Sequence, residues 1–132
     1  MEKLYTFIVD IDDTILTTPL KENGKYDYDK SEPILPVIAK LQSLKEAGHT
    51  IFLFTARGMK TYHGDVNIIE DVHRERLEGF IQRWNVPCDN LIFGKPWGPN
   101  PIYLDNRNLT LSSFLLSEPN NFERLIKDEN AI

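Results

Sequence analysis

Short apolar runs alternate with longer stretches of helical period along this chain. Leu4 to Val9 is a β-favouring run that stops at Asp10, as a buried strand would. Thr50 to Phe54 repeats the pattern and ends at Thr55, and Leu91-Ile92-Phe93 and Ile102-Tyr103-Leu104 read as two further short strands. The polar segment at about 15–30, with Gly24 and the alternation Tyr26-Asp27-Tyr28-Asp29, reads as a hairpin or flap. Ser31 can then cap a helix with Pro33 in its first turn. Ile34, Leu35, Ile38, Leu41 and Leu44 fall on one stripe of that helix, and Gly48 closes it. Residues 56–65 form a loop with Gly58 and Gly64. The helix after it turns Ile69, Val72, Leu77, Phe80, Ile81 and Trp84 inward and its Glu and Arg residues outward, and Val86-Pro87 ends it. The tail at about 115–132 carries a weak terminal helix after Pro119.

Strands that alternate with helices imply an α/β fold, a three-layer doubly wound (Rossmann-like) parallel sheet covered on both faces. In such sheets ligands sit beyond the carboxyl ends of the strands, here at Asp10, Thr55, Gly94 to Trp97, and Asp105. The length of 132 residues suits one domain over 1–132, and 41% hydrophobic with 27% charged residues supports a packed core. Fifteen basic against 20 acidic residues leave a net charge of −5, which argues against non-specific binding to nucleic acid or anionic membranes. Cys88 is the only cysteine, excluding an intrachain disulfide and a cysteine-rich metal site. No apolar run is long enough to span a bilayer, and the few apolar residues before Asp10 are too short for a signal-peptide core. The expectation is a cytoplasmic protein with no membrane partner.

The strand ends carry chemistry-bearing residues. Asp10-Ile11-Asp12-Asp13-Thr14 places three carboxylates within a few positions, and such a cluster repels itself unless a cation sits there. Hard oxygen ligands without His or Cys partners suit Mg²⁺. Thr55, followed by Ala56-Arg57-Gly58, can hold a phosphate oxygen through its hydroxyl and nearby backbone N–H groups. Lys95, between Gly94 and Pro96, can reach across the sheet end, and Asp105-Asn106-Arg107 adds oxygen ligands and a guanidinium. His49, His63 and His73 show no metal-ligand spacing, and Asp13 reads as a turn residue.

The set Asp10-x-Asp12-x-Thr14, Thr55, Lys95 and Asp105-Asn106 resembles the four motifs of the haloacid dehalogenase (HAD) superfamily of phosphohydrolases, over about Leu4 to Phe114. The loops Thr55 to Gly64, Gly94 to Trp97 and Tyr103 to Arg107 resemble the small HAD phosphatases of capsular-polysaccharide and sugar-nucleotide biosynthesis. The resemblance implies Asp10 as nucleophile, forming an aspartyl-phosphate, and Asp12 as acid and base. It implies Mg²⁺ held by Asp10, the Asp12 main-chain carbonyl and the Asp105-Asn106 pair, with Thr55 and Lys95 on the phosphoryl oxygens. Asn106 departs from the commoner pattern of two adjacent aspartates and leaves a metal site with one charge fewer.

The intervals Thr14–Thr50 and Ala56–Phe93 leave no room for a cap domain, so the site should be open. Open sites suit large substrates or closure by a partner subunit, here a second copy of the chain. Arg57, Tyr62, Trp97 and Arg107 are the candidates for substrate binding, with Met59 and His63 on the same loop. The expected activity is hydrolysis of a sugar phosphate or similar small polar phosphomonoester in polysaccharide or capsule biosynthesis. The alternatives are a phosphatase of phosphoprotein or nucleic-acid ends, a non-catalytic phosphate-binding module and, more remotely, a haloalkanoate dehalogenase.

Overall fold

The computed structural model describes residues 3–131, so Met1, Glu2 and Ile132 of the expected domain and tail lie outside it. Three parallel strands, β1 (Thr6–Asp10), β4 (Thr50–Thr55) and β5 (Asn90–Phe93), form a sheet in the order β1-β4-β5. Phe7 lies opposite Ile51, Val9 opposite Leu53, and Leu53 opposite Leu91. Helix α1 (Leu35–Glu46) links β1 to β4, and α2 (Val66–Arg83) links β4 to β5.

The layering differs from the expected three layers. Both crossovers step in the same direction across the sheet, and right-handed connections then put both helices on one face. On that face Phe7, Val9, Ile51, Leu53, Leu91 and Phe93 join a single core with Val37, Ile38, Leu41 and Leu44 of α1 and Ile69 and Leu77 of α2. Burying such a set supplies the main driving force, at roughly 1.5–3 kcal/mol for each large side chain. The opposite face carries Phe52, Phe54 and Ile92, which are half-buried, and Ile8, which is 63% exposed.

The hairpin expected at about 15–30 is present. Strand β2 (Leu16–Thr17) pairs antiparallel with β3 (Glu32–Pro33), Leu20 bridges Tyr26, and the tip turns at Gly24. This pairing moves the start of α1. Ser31 does not cap the helix: its hydroxyl bonds that of Thr18 at 2.7 Å, and Pro36, not Pro33, fills the first turn. In α2 the buried stripe is Ile69, His73 and Leu77, four residues apart, whereas Val72 points outward. Helix α4 (Phe122–Glu129) is the terminal helix expected after Pro119, whereas the apolar stretch before it forms a further helix, α3 (Leu111–Leu116), and Phe114 and Phe122 pack edge-on against Phe7 at 5.9 and 5.8 Å.

The fourth expected strand does not form. Ile102 and Leu104 are 84% and 91% exposed, and β1 remains an edge strand. Pro101 has no N–H to donate, and Asn100 adopts a left-handed φ of 52°. The Tyr103 hydroxyl donates to the Pro96 carbonyl at 2.7 Å while its ring lies 4.3 Å from the Lys95 ammonium, so the run folds back on its own loop. Among the described residues no helix is long and apolar enough to cross a membrane.

Candidate active site

Three of the four expected strand ends meet at one edge of the sheet. Asp10 ends β1, Thr55 ends β4, and Gly94-Lys95 follows β5. Beyond β1 the chain turns at once: Asp13 has a φ of 63°, its N–H donates to the Leu16 carbonyl at 2.8 Å, and the Ile15 N–H donates to Ile11 at 3.0 Å. Ile11 and Ile15 are fully buried beneath this turn, which fixes Asp12 above the core. Asp13 is thus a turn residue, as its position suggested.

Lys95 is placed by backbone and by packing. Its N–H donates to the Thr55 carbonyl at 3.1 Å, extending the β4–β5 pairing by one bond. Gly94 before it has a φ of 87°, and a Cβ there would stand 3.1 Å from a Val66 methyl. The lysine side chain crosses the Phe54 ring, 4.8 Å from its centre, and reaches Asp10 Oδ1 at 3.4 Å. The Asp10 carboxyl is nevertheless held above its ordinary value, because burial outweighs the charge and hydrogen bond of Lys95, and Asp12 adds repulsion.

Asp12 has its own counterion. Arg57 Nε donates to Asp12 Oδ1 and Oδ2 at 3.2 and 3.1 Å, and Nη2 to Oδ1 at 2.9 Å. The Thr55 hydroxyl donates to Oδ2 at 3.5 Å and accepts from the Arg57 N–H at 3.0 Å. The arginine side chain is only 3% exposed and stacks on the Tyr28 ring, 4.3 Å from its centre. The turn that turns it inward needs a glycine: Gly58 has a φ of 77°, and a Cβ would fall 2.9 Å from Ile69.

Asp10, Asp12, Thr55, Arg57 and Lys95 therefore come together as two ion pairs, Asp10 with Lys95 and Asp12 with Arg57, around an open strand end. Asp105, Asn106 and Arg107 do not join them. The Asp105 carboxylate accepts from the Arg107 N–H at 2.9 Å, and Arg107 grips Glu123 of α4 with two bonds of 2.8 and 3.0 Å. That fork depresses the Glu123 carboxyl to about 2. Tyr62 packs half-buried against the core beside Gly58, and Trp97 stands partly exposed beyond β5. Two residues of this neighbourhood escaped the sequence reading. Tyr28, signalled only by the flap's Tyr-Asp alternation, covers Arg57. His73 is buried beside Tyr28, its Nδ1 has no partner among the described residues, and burial plus Arg57 and Arg76 hold its pKa down.

The donors at Asp10 and Asp12 are hard oxygens, and Asp10 is a half-buried carboxyl that Lys95 alone does not fully compensate. Carboxylate oxygens are the donor type that a small divalent cation such as Mg²⁺ takes, but both Asp12 carboxylate oxygens are engaged by Arg57 and Thr55, which leaves Asp10 as the side-chain donor. Asp105 and Asn106 do not fit it as arranged, and among the described residues no three His, Cys, Asp or Glu side chains gather into a metal-holding group.

No family model and no curated protein matches the chain. Among solved structures, the crystal structure of a target protein from Vibrio cholerae is similar to it, with a TM-score of 0.83 and 30% identity. That match covers 96% of this chain and 99% of the other. With that identity over nearly the whole of both chains, the chain belongs to the same family as that Vibrio cholerae protein.

Proposed function

We propose that this chain is a phosphomonoester hydrolase of the HAD type, acting on a sugar phosphate or similar small polar phosphate. The observation that carries the reading is Asp10: a half-buried carboxylate at a parallel strand end, beside a partly buried lysine and two residues before a second carboxylate. In this reading an Asp10 oxygen attacks phosphorus in line, and the bond to the ester oxygen breaks as that oxygen takes a proton from Asp12. Asp12 then takes a proton from water, whose oxygen attacks the aspartyl-phosphate and releases inorganic phosphate and free Asp10. Lys95 and the Thr55 hydroxyl neutralise and orient the phosphoryl oxygens. Both Asp12 oxygens face Arg57 and Thr55 in the structure, so the arginine fork must open before Asp12 can reach a leaving group.

Mg²⁺ is the proposed cofactor, held by Asp10 and the Asp12 main-chain carbonyl, and it would offset the repulsion between anionic nucleophile and anionic ester. The HAD-like form of the fold belongs to the same proposal. The run 102–104 would add to the free edge of β1, burying Ile102 and Leu104 and bringing Asp105 and Asn106 to the strand ends. Two exposed branched side chains supply the driving force, roughly 1.5–3 kcal/mol each on full burial.

A second reading, a phosphatase for phosphoprotein ends, is favoured by the absence of a cap over the site: a hairpin and one helix separate β1 from β4, and one loop and one helix separate β4 from β5. The test is release of inorganic phosphate from sugar, polyol and nucleotide phosphates and a phosphopeptide, with Mg²⁺ and with EDTA. Turnover of small esters that needs Mg²⁺ and vanishes in Asp10→Asn is expected. Cleavage of the phosphopeptide alone replaces the substrate class, and turnover retained by Asp10→Asn overturns the mechanism.

A further inference from the structure

Beside the strand ends, between the flap and the outer flank of α2, lies a hollow of about 260 Å³. Three of the chain's six arginines, Arg57, Arg76 and Arg83, line it, although the protein as a whole is acidic. Its apolar walls are aromatic, from Tyr28, Phe80 and Trp84, over a floor of Leu16 and Leu77. The guanidinium groups lie close to those rings, that of Arg57 buried and those of Arg76 and Arg83 exposed at the rim. Arg57 and Arg76 flank Tyr28, at 4.3 and 5.4 Å from its centre, and Arg83 lies 5.2 Å from the centre of Trp84. The acidic groups at hand do not balance them. Asp12 engages Arg57, Asp29 meets Arg76 only through a 3.5 Å contact with an exposed carboxylate, and Arg83 has no ion pair among the described residues.

Guanidinium groups resting near aromatic faces lose less freedom on binding than unsupported ones, and their paired N–H groups match the two oxygens of a carboxylate or phosphate. We propose that this hollow binds a small anion, a carboxylate or phosphate carried on a flat body, and that the anion competes with Asp12 for Arg57. Arg57 is the shared wall: nearly all of its side chain is buried, with Asp12 on one side and the hollow on the other. An anion there draws the guanidinium toward the hollow and frees the Asp12 oxygens. The binding site stands on its own geometry, whereas the effect on turnover rests on the phosphatase reading.

The test is calorimetric titration of the full chain with isophthalate and with phenylphosphonate, the first a dicarboxylate and the second a phosphate mimic that cannot be hydrolysed. At least one should bind the wild type, and Arg76→Gln/Arg83→Gln should weaken it by about tenfold or more, the loss expected for charge-assisted hydrogen bonds. Both positions are exposed, so the variant should fold, which circular dichroism checks. Asp10→Asn should leave that affinity within about twofold. Which probe binds more tightly distinguishes a carboxylate ligand from a phosphate one. Absence of heat with either probe up to about 10 mM, or affinity that the double variant leaves unchanged, overturns the site. Bound isophthalate should also raise hydrolysis of p-nitrophenyl phosphate in the wild type and not in the double variant. An unchanged rate in the wild type overturns the competition for Arg57, and no hydrolysis under any condition overturns the phosphatase reading while the titration still decides the site.

Discussion

Asp10 and Asp105 each follow a short apolar run, and a pattern-based reading treats them alike. In the folded chain they have opposite fates. Asp10 is fixed by a strand whose neighbour β4 pairs with it residue for residue, so its carboxylate meets Lys95 from β5 across the sheet end. Asp105 follows a run that begins at a proline, has no strand beside it, and is held by a local turn and by Arg107's attachment to α4. A carboxylate enters this site when its strand is paired along its length with a neighbour, as β1 is with β4. Apolar character supplies the means for that pairing but does not choose the partner.

Substitutions at the two ends should separate these regions. Asp10→Asn should lower phosphate release by about three orders of magnitude or more, since it removes the nucleophile. The same change should raise thermal stability at neutral pH. The folded state binds the Asp10 proton more tightly than the unfolded chain does, so the charged form costs stability above its raised pKa. The gain should shrink as the pH falls through that raised value and disappear below the ordinary value of 3.8, as melting curves of both proteins across acid pH would show. A stability gain that persisted below that value would assign the effect to packing instead.

Phe122→Ala tests the tail that holds Arg107's partner. It should cost about 3–5 kcal/mol in urea unfolding, because a fully buried ring packed on Phe7 and Phe114 leaves a cavity. Gly58→Ala should cost less, roughly 2 kcal/mol, from a left-handed φ and a clash with Ile69 beneath the Arg57 turn. The smallest stability effect is expected from Ile102→Ser/Leu104→Ser, within about 0.5 kcal/mol without Mg²⁺, because both side chains are exposed. Under the proposed pairing with β1 that variant should still lose about tenfold in Mg²⁺-dependent turnover, as should Asp105→Ala. Full turnover in both would make the observed arrangement the working one and leave Asp10 and Asp12 as the whole metal site.

Much of the fold was legible along the chain. The runs ending at Asp10, Thr55 and Phe93 became parallel strands because continuous β-branched and aromatic stretches favour extended pairing, although only one face of the sheet is buried. The flap hairpin followed from its polar alternation and Gly24. Less legible were the positions that depend on a distant partner. Ser31 was available to cap α1, but the pairing of β2 with β3 claimed that stretch for a strand. Val72 and His73 are adjacent, and only the rotation of α2 against the core decided that the histidine goes inside. Arg57 read as a substrate-facing side chain, and the fold turned it onto Asp12 and Tyr28.

The sequence by itself determined the three strands that end at Asp10, Thr55 and Phe93 and the helices that follow the first two, and that carboxylates, a threonine and a lysine would stand at those strand ends. Those are local properties: period, branching, and the residue that breaks a run. Only the tertiary structure decided that both helices lie on one face, that Lys95 neutralises Asp10 while Arg57 neutralises Asp12, and that the run 102–104 lies outside the sheet. Sheet order and side-chain pairing depend on residues tens of positions apart. Their energies are settled by competition for burial and charge across the whole molecule, which no local pattern records.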